Sequence, residues 1–258
     1  MKKNLKISLI QSNLFWEDAN KNLSHFENLL ASILETDIIL LPEMFNTAFC
    51  PKSLHLAEKM DGTTVNWMRK VAKNKNCTIA GSLMIQENGK IYNRLLWITK
   101  NGAISTYDKR HLFSLIKENE TLSKGKDRLI IEEEGWKICP LICYDLRFPV
   151  FSRNDEEYDL LIYLANWPIK RIDAWDTLLK ARSIENQCYT IGVNRVGEDG
   201  NNVSFNGHSK VFDAFGEEVL SFTKNKEAVL QIEISLDDLK LKRRQLNFLQ
   251  DVDNFKLL

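Results

Sequence analysis

Short apolar runs and longer amphipathic stripes take turns along this chain. LKISLI (5–10) reads as a strand, and Leu23, Phe26, Leu29, Leu30, Ile33 and Leu34 then recur at three- and four-residue steps, the stripe of an amphipathic helix. DIILL (37–41) is continuously apolar and short, as expected of a strand buried on both faces. Val65, Met68 and Val71 mark a second helix, with Thr63 or Thr64 as its cap. TIAGSLMI (78–85) and IYNRLLWIT (91–99) flank ENGK, and Asn101-Gly102 precedes AISTY, so two Gly-containing turns predict hairpins.

The second half repeats the theme. WKICPLIC (136–143) and DLLIYLA (159–165) predict strands, WDTLLKARSIENQ (175–187) a helix, and CYTIGVN (188–194) the strand after it. HSKVFDAFGEEVLSF and EAVLQIEI predict a closing hairpin and strand, followed by a charged helical segment and an irregular end in which Phe248, Val252 and Phe255 are exposed unless covered. No Gly/Ser linker, low-complexity stretch or repeat interrupts residues 1–258, which read as one α/β domain. So many strands fit two stacked mixed sheets with helices outside. The tail 246–258 is expected to pack on a partner subunit.

Composition narrows the function. The 35 Lys+Arg balance 35 Asp+Glu, so the basic excess that nucleic acid or an acidic membrane surface would attract is missing. No segment approaches the ~20 apolar residues of a membrane span, and the opening MKKNLKISLIQSNLFW is too short and too polar in its apolar part for a signal peptide. Cys50, Cys77, Cys139, Cys143 and Cys188 form no CxxC pair, which disfavours both a disulfide framework and a zinc knuckle and points to a reducing, cytoplasmic setting. With no P-loop, no GxGxxG and no close metal spacing among His25, His55, His111 and His208, no cofactor is expected.

Three reactive side chains fall where apolar strands end: Glu43 in IILLPEMF, Lys109 in TYDKRHLF and Cys143 in LICYDLRFP. Singly, each has an ordinary reading, as a solvated charge, an exposed lysine or a small buried hydrophobe. Together they supply acyl transfer to a thiol: a nucleophile, a carboxylate to take its proton, and a cation for the oxyanion. Tyr144 can add its backbone N–H to the oxyanion, and Trp167 can wall the pocket. Arg147 and Arg195 are candidates to grip a substrate carboxylate, against structural pairing with Asp145 or Glu185. A Cys–His hydrolase pairing Cys143 with His111 or His208, and a binding scaffold without turnover, are the competing readings.

LLPEMF, YDKRHLF and CYDLRFP, with ANWP (165–168) and NRVGEDG (194–200), resemble the signature segments of the nitrilase superfamily of carbon–nitrogen hydrolases. The resemblance implies a four-layer α-β-β-α sandwich, two mixed sheets flanked by helices, in subunits that form a homodimer. It implies Glu43 as general base, Lys109 as the cation that stabilises the oxyanion, and Cys143 as the nucleophile that forms a thioester and releases ammonia. A further glutamate, Glu118 in preference to Glu120, would position them. The segments are most similar to the bacterial omega-amidase branch, whose substrates are short α-keto acid amides such as 2-oxoglutaramate and 2-oxosuccinamate. Relatives commonly carry FPE where this chain has Pro149-Val150, which leaves the chemistry in place but loosens any borrowed substrate contact. The nearest alternative is another amidase of this fold, including one acting on N-carbamoyl amines.

Overall fold

In the computed structural model, which describes residues 2–253, the expected strands and helices form two stacked mixed sheets with helices outside. In chain order the strands are β1 (Asn4–Gln11), β2 (Ile38–Leu40), β3 (Thr78–Glu87), β4 (Lys90–Ile98), β5 (Ile104–Asp108), β6 (Ile131–Glu133) and β7 (Trp136–Ile142). The second half adds β8 (Leu160–Ala165), β9 (Tyr189–Asn194), β10 (Val196–Glu198), β11 (Ser204–Asn206), β12 (Lys210–Phe212), β13 (Glu218–Ser221) and β14 (Ala228–Ser235). The helices are α1 (Ala19–Ala31), α2 (Thr63–Lys75), α3 (Glu118–Thr121), α4 (Ile172–Asn186) and α5 (Leu236–Gln245).

One sheet runs β14-β1-β2-β3-β4-β5 and the other β13-β12-β9-β8-β7-β6, with β10 and β11 as a separate pair. At the centre of each sheet three strands are parallel, β1–β2–β3 and β7–β8–β9. These central strands are the continuous apolar runs of the sequence, as burial on both faces requires. Asn88 and Gly89, both with positive φ (50° and 74°), make the tight turn between β3 and β4 that ENGK predicts.

Three layers of apolar contact hold the sandwich. Ile7, Leu9, Leu40 and Trp97 of the first sheet share one buried cluster with Trp136, Leu141, Ile162 and Ile191 of the second. On the outside of the first sheet, α1 and α2 press Phe26, Leu30, Val65 and Met68 onto Ile39, Ile79 and Leu96. Each fully buried side chain of this kind contributes about 1.5–3 kcal/mol. On the other outer face α4 lies so close to β9 that a Cβ on Gly192 would sit 2.5 Å from Leu179 and 2.6 Å from Trp175. Glycine at that position lets helix and sheet meet.

Some local expectations need correction. The α2 N-cap is Gly62, and the cap ligand is the Glu58 carboxylate, which accepts the Thr64 N–H at 2.8 Å; Thr63 and Thr64 already belong to the first turn. Leu34 lies beyond α1 and is 96% exposed, so the stripe ends at Ile33. At the other end, Phe248 and Val252 are half-buried beside the short turn Phe248–Asp251, and Phe255 lies outside the described residues. No helix among the described residues is long and apolar enough to cross a membrane.

Candidate active site

The carboxyl ends of β2, β5, β7 and β8 converge, and each delivers one polar residue: Glu43, Lys109, Cys143 and Asn166. Glu43 and Lys109 are almost fully withdrawn from solvent, and so is Glu118 at the start of α3. The Lys109 ammonium donates to Glu43 Oε1 at 2.9 Å and to both Glu118 oxygens at 3.1 and 3.0 Å. Burial disfavours the Lys109 cation, but Glu118 and Glu43 outweigh it and hold its pKa above the ordinary lysine value. Burial likewise raises the Glu118 pKa, and Lys109 opposes that rise.

Further donors converge on Glu43. Oε1 also accepts from Asn93 Nδ2 at 2.8 Å, and Oε2 accepts the Asn166 backbone N–H at 2.9 Å, while Asn166 Nδ2 donates back to the Glu43 carbonyl. Such a carboxylate is fixed in position before any substrate arrives.

Cys143 sits on a sharp turn directly after β7, with φ of 42°. A non-glycine residue in that left-handed region costs about 1–2 kcal/mol, so the surrounding structure must enforce it. Asp145 does this from a fully buried position. Its Oδ2 accepts the Ile142 N–H at 3.0 Å and the Tyr107 hydroxyl at 2.7 Å; its Oδ1 accepts the His111 N–H at 3.1 Å and pairs with His111 Nδ1 at 2.8 Å. The turn lifts Cys143 out of the core, half-buried where the other four cysteines are buried. Burial, joined by the Glu43 carboxylate, pushes its thiol pKa well above the ordinary value, with Lys109 pulling the other way. The Cys143 thiol thus lies with a carboxylate beside it.

Cys143, Lys109 and Asn166 lie on the wall of a cavity of about 620 Å³. Tyr144, Arg147, Trp167, Phe113 and Arg171 line it too, and Glu17, Lys52, Lys117 and Asp199 stand on the same wall. The Arg147 guanidinium lies over the Trp167 ring, 4.8 Å from its centroid, and the Trp167 Nε1–H donates to the Arg171 carbonyl at 2.7 Å.

The sequence profile of the carbon-nitrogen hydrolase family matches residues 6–244. The chain belongs to the carbon-nitrogen hydrolase family. Its similarity to the omega-amidase YafV of Yersinia enterocolitica is 43% identity over 98% of this chain and 99% of that one. A 2-oxoglutaramate amidase of Bacillus subtilis is 32% identical over 95% and 96% of the two chains. Among solved structures, XC1258 of Xanthomonas campestris, a CN-hydrolase superfamily protein with an arsenic adduct in its active site, superimposes with a TM-score of 0.97 at 40% identity and full coverage of both chains. The α-β-β-α sandwich is thus the fold of this carbon-nitrogen hydrolase, and it is an amide-hydrolysing enzyme.

Within this carbon-nitrogen hydrolase, the structure places the paired candidates of the sequence in different surroundings. Glu118 is buried on Lys109, whereas Glu120 is exposed and pairs with Lys117. Arg195 is not on the cavity wall: its side chain donates to the carbonyls of Val196, Leu14 and Glu198 and to Asn13 Oδ1, and it lies 4.6 Å over Phe205. It clamps β9 and β10 to the segment after β1, and burial lowers its pKa to about 10. Its Nη1 has no hydrogen-bond partner among the described residues but is buried away from the cavity, so a substrate carboxylate there would not reach it. The anticipated structural pairs also differ, because Asp145 binds Tyr107 and His111 while Glu185 binds Arg182. His111 and His208 each direct Nδ1 at a carboxylate, Asp145 and Asp176, not at Cys143.

The sequence reading passed over Asn93, Asn166 and Arg171. Asn93 left a trace as an amide inside an apolar strand, and Asn166 lies within the ANWP segment. Arg171 left none, since Lys170-Arg171 looks like any solvated basic pair.

Proposed function

We propose that the protein is an omega-amidase that hydrolyses the terminal amide of short α-keto acid amides, such as 2-oxoglutaramate and 2-oxosuccinamate, to the dicarboxylate and ammonia. The observation that carries this reading is the Glu43–Lys109–Glu118 cluster beside the thiol of Cys143, on a cavity wall that also offers the guanidinium of Arg147. The names of the relatives in Yersinia enterocolitica and Bacillus subtilis support the substrate class.

The chemistry runs in two halves. Sγ of Cys143 adds to the amide carbon as Glu43 takes the thiol proton, so no free thiolate is required in the resting enzyme. The carbonyl oxygen becomes an oxyanion that receives the Lys109 ammonium and the Tyr144 N–H. Collapse breaks the carbon–nitrogen bond while Glu43 passes its proton to the leaving nitrogen, giving ammonia and a thioester on Cys143. Water then adds to the thioester with Glu43 again as base, and the second collapse expels the sulfur, which regains its proton as the acid product leaves. Glu118 positions Lys109 throughout. Arg147 holds the carboxylate at the far end of the substrate, and Trp167 forms the wall that Arg147 rests on.

This placement sets substrate preference. Glutamine presents the same terminal amide as 2-oxoglutaramate, but its α-ammonium would approach a guanidinium. Ammonia release is therefore expected to be at least about 100-fold more efficient, by kcat/KM, from 2-oxoglutaramate than from glutamine, one desolvated like-charge contact being enough for that difference, and propionamide, which offers Arg147 no carboxylate, is expected to be poorer than 2-oxoglutaramate as well. Preferred release from N-carbamoyl-β-alanine or propionamide would assign a different amidase specificity.

The same reading carries a cytoplasmic homodimer of single-domain subunits. Five free cysteines suit a reducing compartment. Ile184 of α4, Phe215 and Val219 are exposed and supply apolar surface for self-association. Sedimentation velocity is expected to give a dimer at micromolar concentration, and a monomer there would remove this part of the reading.

A further inference from the structure

Arg171 ends the short turn Ile169–Arg171 that follows Trp167-Pro168, and it is half-buried on the cavity wall. Its guanidinium lies 5.2 Å over the Phe113 ring, as that of Arg147 lies over Trp167. Among the described residues neither guanidinium has a carboxylate or carbonyl within hydrogen-bonding reach, whereas Arg94, Arg128, Arg182 and Arg243 are all committed to carboxylates. The two acids on the same wall are engaged elsewhere. Glu17 accepts the Ser53 hydroxyl, and Asp199 accepts the N–H groups of Asn201 and Val203 at 2.8 and 3.0 Å.

One side chain ties the two arginines together. The Trp167 indole supports the Arg147 cation on its face and fixes the Arg171 backbone with its N–H. Burial lowers the Arg171 pKa and the like charge of Arg147 adds to that effect. Two planar cations with aromatic backing and no counter-charge make a receptor for a planar anion, because guanidinium binds carboxylate through paired, directional hydrogen bonds.

We propose that Arg171 is a specificity-determining residue that joins Arg147 in holding the α-keto carboxylate of the substrate, so that the cavity selects amides bearing an anionic group. The inference rests on the omega-amidase reading for its substrate, and the test separates the two. In Arg171→Ala, the ratio of kcat/KM for 2-oxoglutaramate to that for pentanamide is expected to fall roughly 10- to 150-fold, the range for losing hydrogen bonds to a charged group. The loss should appear mainly in KM, and Arg171→Lys should recover part of it. In the Cys143→Ala background, calorimetric titration with glutaramate, the monoamide of glutarate, is expected to weaken by a similar factor when Arg171 is also replaced by alanine.

Equal losses for the anionic and the neutral amide, or unchanged glutaramate binding, would overturn the assignment of Arg171. If the wild type released no ammonia from any α-keto acid amide while glutaramate still bound in an Arg171-dependent manner, the activity reading would fall and the anion site would stand. Intact turnover of 2-oxoglutaramate with no effect of Arg171→Ala would be the converse.

Discussion

Cys143→Ala is expected to lower amide hydrolysis by about 10⁶-fold in kcat, equivalent to about 8 kcal/mol of barrier, with the fold retained. The size follows from the proposed mechanism: without the sulfur Glu43 would have no thiol to deprotonate, and the oxyanion donors would have no adduct to stabilise. Cys50 also borders the cavity but cannot take over. It is buried, its thiol bonds to the Thr47 carbonyl, and burial lifts its pKa to about 11. Stability should barely change, because alanine at φ of 42° meets the same backbone constraint as cysteine and the Asp145 clasp does not involve the sulfur. Ammonia release and a thermal melt on the purified variant check both halves. Residual turnover within a hundredfold of wild type would show that another group attacks the amide.

Glu43→Gln carries the second largest effect, a loss of about 10³–10⁴-fold, at the upper end of what general acid–base catalysis contributes. An amide cannot take the thiol proton, and it also fits the site badly in either orientation. With its NH₂ at the Oε2 position it faces the Asn166 N–H, and with the amide flipped it faces both the Lys109 ammonium and Asn93 Nδ2. Donor meets donor each way. His208→Ala, whose imidazole serves Asp176, should stay within about tenfold of wild type, and His111→Ala should lose only what loosening Asp145 costs. Single-turnover ammonia release with the three variants separates the mechanisms, since a Cys–His enzyme would show the opposite ranking.

Much of this site was legible in the sequence because its parts lie at the ends of apolar runs, and the ends of buried parallel strands are positions that periodicity locates well. Glu43, Lys109 and Cys143 were found that way and do meet, although Lys109 in isolation reads as an ordinary exposed lysine and is instead 1% exposed. What stayed hidden is what depends on pairing across the chain. EAVLQIEI reads plainly as a strand, but nothing local says that it returns to the first sheet beside β1. Arg147 and Arg195 look alike in sequence, and only the third dimension puts one on the cavity and the other among backbone carbonyls. Likewise the α2 cap comes from Glu58, five residues before the helix, because a loop folds its carboxylate back over the first turn.

The segment from Phe113 to Glu118 is closed at both ends by a single carboxylate. Glu118 Oε2 accepts the Phe113 N–H at 2.6 Å while the same group holds Lys109. Leu115, Ile116 and Lys117, which border the cavity, project from this closed loop. Inserting or deleting a residue here would move the carboxylate off the lysine, whereas exchanging a side chain would alter only the mouth. Variation in this rim among descendants of the protein is therefore channelled into residue identity, with loop length held constant by the chemistry beneath it.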